Sequence, residues 1–184
     1  MEVGSLRLGF FIIRFEMQLL PLSLGRAFGK LRFLKGWLFL CGQILTLDNL
    51  MLCGHPLANR CCMCCCNAES MDHLLLSCLI AHSLWMCMIR LFGIDWVMSG
   101  SVVDLLFCWF YWLGKHSSDI WNLVPGYLMW TIWTEQNLRF FEDEGKTVVQ
   151  LLEFCQRTLF DWSRCWGLLD CSTLMDFLLS IKID

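Results

Sequence analysis

Proline occurs only three times in 184 residues, and charged residues make up just 17% of the chain. Soluble domains average about 25% charged residues, and a disordered chain is poorer in apolar residues than this one, which is 57% hydrophobic. The 13 glycines follow no triplet period, which excludes a collagen-like chain. No Pro-, Gly- or Ser-rich stretch marks a linker, and no internal repeat occurs. Long apolar runs are missing as well. A spanning helix needs about 20 mostly apolar residues. The longest stretch free of Asp, Glu, Lys and Arg is 73–89, and it contains His73, Ser77, His82 and Ser83. The next, 120–134, contains Pro125 and Gly126. A membrane span is therefore not expected, and a small membrane-associated protein with helices at 73–92 and 102–134 is the rival reading.

Catalytic signatures are also lacking. There is no GxxxxGK[ST] phosphate loop, no G-x-S-x-G elbow and no pair of aspartates after an aromatic residue. The acidic run Glu142-Asp143-Glu144 reads as a solvated turn, and His55 and His116 sit in turns beside Gly54 and Lys115. The expectation is a protein that is not an enzyme, with no catalytic residues.

Charge is unevenly spread. Residues 1–60 hold seven basic and three acidic groups, whereas residues 61–184 hold seven basic and fourteen acidic ones. Grip on nucleic acid comes largely from clustered positive charge, through counterion release. The chain alone is therefore expected to bind RNA or DNA weakly, and only through a larger complex.

Cysteine is abundant: thirteen residues, an odd number. The apolar run at 9–13 is cut short by Arg14 and Glu16, without a secretory cleavage pattern. An intracellular, reducing compartment is expected, with nucleus and cytoplasm undistinguished, so the cysteines are thiols or metal ligands.

The hydrophobic pattern is mainly helical. Thr46 caps a short helix 47–53 closed by Gly54. Ser70 precedes an apolar-periodic run, 71–92, ended by Gly93. Ser101 and Asp104 form a capping box for 102–113, stopped by Gly114. Ser117 or Ser118 opens a helix to about Phe141, with Pro125 near its first turns. Thr147 opens the clearest amphipathic helix, with Val148, Leu151, Leu152, Cys155, Leu159, Trp162 and Trp166 on one stripe and Gly167 at its end. A last segment, 173–181, reads as a short helix. Ten tryptophans, most of them on these helices, are expected to pack between them, because base-stacking sites carry basic neighbours that are missing here.

Five cysteines crowd into six positions: Cys61, Cys62, Cys64, Cys65 and Cys66. Cys61 and Cys64 make a C-x2-C pair, whose tight turn aims two sulfurs at one point. With His73 and Cys78 the pattern is C-x2-C-x8-H-x4-C, a closed tetrahedral set of the structural kind. In a regular helix His73 and Cys78 would be about 140° apart, so the helix must begin late or break. Other registers remain open. Cys62 and Cys65 form a second C-x2-C pair, Cys66 is a substitute, and His82 lies four residues after Cys78. Free thiols in a Cys-rich core are the plain alternative.

The segment 61–85 resembles the zinc-binding domain that follows the reverse transcriptase in plant LINE-type (non-LTR) retrotransposons. That family reads roughly Cys-Pro-Leu-Cys-Gly, then Glu-Ser or Glu-Thr, His-Leu, Cys, Ala and Trp. The matching positions are Cys61, Cys64, Glu69, Ser70, His73, Leu74, Cys78, Ala81 and Trp85. Upstream, 44–50 is similar to a Thr-x-Asp-x-Leu helix. Downstream, Trp130, Ile132, Trp133, Glu135, Asn137, Arg139, Phe141 and Glu142 match the motif Trp-x-Ile-Trp-x-Glu-Arg-Asn-x-Arg-x-Phe-Glu. Gln136 replaces its first Arg, and Cys62 and Cys65 stand where the family often has Pro and Gly. The resemblance implies a structural Zn2+ on Cys61, Cys64, His73 and Cys78. It also implies a non-catalytic remnant of a retrotransposon polyprotein, with a reverse transcriptase as partner. The expected organisation is a segment 1–42 that departs from the family, a zinc-binding module 43–93 and a helical tail 94–184. One neighbouring reading frame of 23–43 can encode the family's upstream segment, so 1–42 reads as frame-shifted.

Overall fold

The computed structural model describes residues 60–112, 119–165, 167, 168 and 170–181, all in one compact unit. The expected helix at 47–53, the segment 1–42, Gly114 and the Ser117–Ser118 opening lie outside the described residues. Those described are mostly helical, with no strand among them. A knuckle at 61–67 leads into a π-helical turn, His73–Ser77. Five α-helices follow: α1 (Leu79–Leu91), α2 (Val102–Trp112), α3 (Asp119–Phe141), α4 (Val148–Cys165) and α5 (Leu174–Ser180).

The helix starts read at Ser101 and Thr147 are in place. The Asp104 N–H donates to Ser101 Oγ at 3.1 Å, and the Gln150 N–H donates to Thr147 Oγ1 at 3.3 Å. The Thr147 N–H answers by donating to Gln150 Oε1 at 2.9 Å, which closes a reciprocal box. Thr173 caps α5 by accepting from the Asp176 N–H at 3.2 Å. Gly93 (φ 74°) and Gly167 (φ 61°) adopt the left-handed backbone that ends a helix and that a Cβ disfavours.

The apolar run at 71–92 is not one helix. The chain breaks at Cys78, whose ψ of 136° is extended. The break frees the Leu75 carbonyl, which in an unbroken helix would accept from residue 79. Trp85 Nε1 donates to it instead at 2.8 Å, so the buried group stays satisfied. Pro125 lies inside α3. Proline has no N–H for the Trp121 carbonyl four residues back. Trp109 Nε1, from α2, donates to that carbonyl at 3.1 Å.

These two indole bonds anchor an aromatic core. Trp109 stacks on Trp121 at 4.0 Å and meets Trp85 edge-on at 5.6 Å, while Phe92 meets Trp121 edge-on at 5.1 Å. Trp85, Trp109, Trp121 and Trp133 are buried, as the packing reading expected, and Trp130 and Trp162 are half-buried. Helix α4 packs on α1 and α3, and α5 closes on α4 through Phe160 and Phe177. The buried face of α4 runs through Leu151, Cys155, Leu159, Phe160 and Ser163. It shares Leu151, Cys155 and Leu159 with the expected stripe, whereas Val148, Leu152 and Trp162 are half-buried and Phe160 and Ser163 lie inside instead. Ser163 is tolerated inside because its hydroxyl donates to the Leu159 carbonyl at 2.7 Å.

No helix among the described residues is long and apolar enough to cross a membrane. The 73–92 span of the rival reading is interrupted at Cys78, and part of its 102–134 span lies outside the described residues.

Candidate metal centre

The knuckle is built by short backbone bonds. The Cys61 N–H donates to the Asn67 carbonyl and the Cys65 N–H to the Cys61 carbonyl, both at 2.8 Å. Arg60 Nε donates to the Cys65 carbonyl at 2.6 Å. These bonds fold residues 61–67 into a loop whose first and fourth side chains face inward.

The π-helical turn supplies the other half. The Cys78 N–H donates to the His73 carbonyl at 2.7 Å, an i→i+5 bond. This wider turn brings residue 78 close to register with residue 73, which a regular helix would hold about 140° apart. The helix break therefore lets this imidazole and this thiol face the same point. Such turns are rare and gather at functional sites.

Cys61, Cys64, His73 and Cys78 converge, with one donor atom from each and all four within 4.8 Å of one another. His73 Nε2 lies 3.4 Å from Cys64 Sγ, and its Nδ1 lies 3.3 Å from Ser77 Oγ. With a metal on Nε2, Nδ1 carries the hydrogen and donates to Ser77, which fixes ring tautomer and orientation.

The local field prepares the ligands. The Cys61 thiol donates to Cys78, and this bond chiefly holds the Cys78 thiol below its usual 9.0. The N–H groups of Ile80 and Ala81, at the open end of α1, act in the same direction without closing a cap bond. Cys61 is pushed up by sharing that proton and by burial, while the N–H groups of Met63 and Cys64 oppose the rise. Burial lowers His73 below 6.5 and so favours the neutral ring that a metal requires.

The donor set fits a metal. At Zn–S distances of about 2.3 Å, tetrahedral sulfurs stand about 3.8 Å apart. Donor atoms within 4.8 Å need only a small contraction to reach that spacing.

The rival ligands point elsewhere. Cys62 Sγ lies 3.6 Å from the Gln136 carbonyl and 3.9 Å from Glu69 Oε2, and burial pushes its thiol up to about 12. Cys65 and Cys66 are exposed, with their sulfurs turned to the Cys62 and Cys64 carbonyls. His82 is exposed on α1 and is not among the converging donors. Glu142, Asp143 and Glu144 are exposed, in the turn after α3.

Two structural roles escaped the sequence. Asp72 Oδ1 accepts from the Val102 N–H at 2.8 Å, tying the π-helical turn to α2 across 30 residues. Glu69, fully buried, accepts from Gln136 Nε2 at 3.1 Å. The only hint was that Glu69 and Gln136 both fall in motif positions.

Fold and site together define a helical module that carries a Cys3His cluster compatible with zinc binding. Residues 26–85 match the family model described as zinc-binding in reverse transcriptase, a span that contains all four converging side chains. The match begins inside the 1–42 segment and ends before the tail. No curated protein and no solved structure matches the chain.

Proposed function

We propose that this chain is a non-catalytic zinc-binding module derived from a plant LINE-type reverse transcriptase polyprotein. Its metal is a structural Zn2+ held by Cys61, Cys64, His73 and Cys78. The observation that carries this reading is the convergence of those four donors within the segment that matches the family. Three soft thiolates and one imidazole favour zinc over hard cations, and four protein ligands leave no position for a reacting water. The module works as a rigid attachment point beside a reverse transcriptase. It handles template RNA or element DNA as part of that larger complex, since the described region offers little clustered positive charge.

Elemental analysis of purified protein tests the metal. One zinc per chain is expected, retained by Cys62→Ala and lost from Cys64→Ala and His73→Ala together with helical signal near the knuckle. A metal-free wild type, or a Cys64→Ala variant that keeps its zinc, refutes the assignment. A filter-binding titration tests the partner reading. Weak, strongly salt-dependent RNA binding is expected from the chain alone, and tight binding that persists in high salt argues against it.

A further inference from the structure

The knuckle meets the C-terminal third of α3 through groups more than 60 residues away in sequence. Arg139 Nη1 donates to the Met63 carbonyl at 3.2 Å, inside the Cys61–Cys64 loop. Arg139 is itself held on two other sides. Its Nε lies 2.9 Å from Glu135 Oε1, on a carboxylate almost wholly buried, and its Nη2 donates to the Lys146 carbonyl at 2.6 Å. Glu135 Oε1 also accepts from the Lys146 N–H at 2.6 Å, so carboxylate, guanidinium and loop backbone form a closed clasp. Gly145 gives it room: a Cβ there would stand 3.1 Å from Arg139 Nε and 3.3 Å from its Cγ. The guanidinium is planar, so two fixed nitrogens determine where the third one points.

We propose that Arg139 is a positioning residue for the metal. Pinned by Glu135 and the Lys146 carbonyl, it holds the Met63 carbonyl and with it the spacing of the Cys61 and Cys64 sulfurs. The loop is then ordered before the ion arrives, and that ordering is not charged against binding. The inference rests on the metal-binding reading. Lysine at 139 could make one of the three bonds, and alanine none.

The test uses the full chain, loaded with zinc or with cobalt as a spectroscopic probe. Variants are Arg139→Ala, Arg139→Lys and the milder Gly145→Ala, which only crowds the guanidinium. Thr173→Ala, which weakens the remote cap of α5, is the stability control. Affinity is read by competition with a chelator, ligand geometry by the cobalt absorption bands, and fold by circular dichroism. Zinc affinity should fall about 10- to 100-fold in Arg139→Ala, the range seen when groups supporting metal ligands are removed. Arg139→Lys and Gly145→Ala should lie between it and wild type, and the cobalt bands should shift in all three. Thr173→Ala should melt earlier with unchanged affinity and bands.

Wild-type affinity and bands in Arg139→Ala overturn the proposal, as does an equal loss in Thr173→Ala, which would mark a general stability effect. If Arg139→Ala does not fold, Gly145→Ala decides: unchanged affinity and bands overturn the proposal. A wild type that binds no metal refutes the metal reading itself. One that binds metal indifferently to Arg139 refutes the positioning role alone.

Discussion

Replacing Cys65 with glycine should stabilise the protein and leave its metal untouched. Cys65 has a φ of 55°, in the left-handed region. There the Cβ of an L-residue crowds the following carbonyl, at a cost of about 1–2 kcal/mol. The side chain returns little. It is exposed, and its sulfur stands 3.9 Å from the Cys62 carbonyl. Glycine removes the crowding but gives the unfolded chain more freedom, which offsets about 0.4–1 kcal/mol. The net gain is about 0.5–1 kcal/mol, or a rise in Tm of about 1–4 °C for a chain of this size. Thermal unfolding followed by circular dichroism checks it at fixed zinc and protein concentration, because bound metal shifts Tm by mass action. Cys65→Ala keeps the Cβ and should show no such rise. Zinc content should stay at one per chain in both variants. A glycine variant that melts below both cysteine and alanine would show that the loop is not left-handed at this position. A glycine variant without zinc would place the ligands in the Cys62–Cys65 register and refute the geometry of the whole site.

Three further outcomes follow from the packing. Burial pushes the Cys155 thiol up to about 12 from 9.0. Between those values the unfolded chain sheds a proton that the folded chain keeps, so stability present below pH 9 is lost as pH rises, at up to about 1.4 kcal/mol per pH unit. Denaturant unfolding at pH 7.5 and 10.5 should show this loss, and Cys155→Ala should reduce it; an unchanged slope would mean that Cys155 is not buried as a thiol. Trp109→Phe keeps an aromatic ring but leaves the Trp121 carbonyl without its indole donor, and urea unfolding should show a loss of about 1–3 kcal/mol. Ser77→Ala removes the partner of His73 Nδ1 and should weaken zinc binding about tenfold in chelator competition, with the helical spectrum intact.

Most local structure was legible in the residues. Ser101 with Asp104, and Thr147, marked helix starts, because a cap hydrogen bond closes within three residues; the Gln150 and Asp176 partners emerged only in the structure. Gly93 and Gly167 mark helix ends for an equally local reason, the backbone angle each must adopt. The spacing offered Cys61, Cys64, His73 and Cys78 as one ligand set among several registers, the family resemblance favoured that set, and these four side chains are the ones that converge. The buried face of α4 was only partly legible: periodicity places a stripe within a residue or so, and only the neighbouring helices decide that Ser163 lies inside while Trp162 is half-covered.

By itself, then, the sequence determined what acts over one helical turn: caps, ends, an apolar period and a ligand spacing. The ligand spacing called for a late start or a break, and tertiary structure decided that the chain breaks at Cys78, where Trp85 Nε1 takes the freed Leu75 carbonyl. It decided that Pro125 can sit inside α3, because Trp109 takes the carbonyl that proline leaves. It also turned Cys62 toward Gln136 and bound Arg139 to Met63, across 74 and 76 residues. The two carbonyls are buried and Cys62 and Arg139 partly buried polar groups, and each found its partner on a chain segment that no local signal connects.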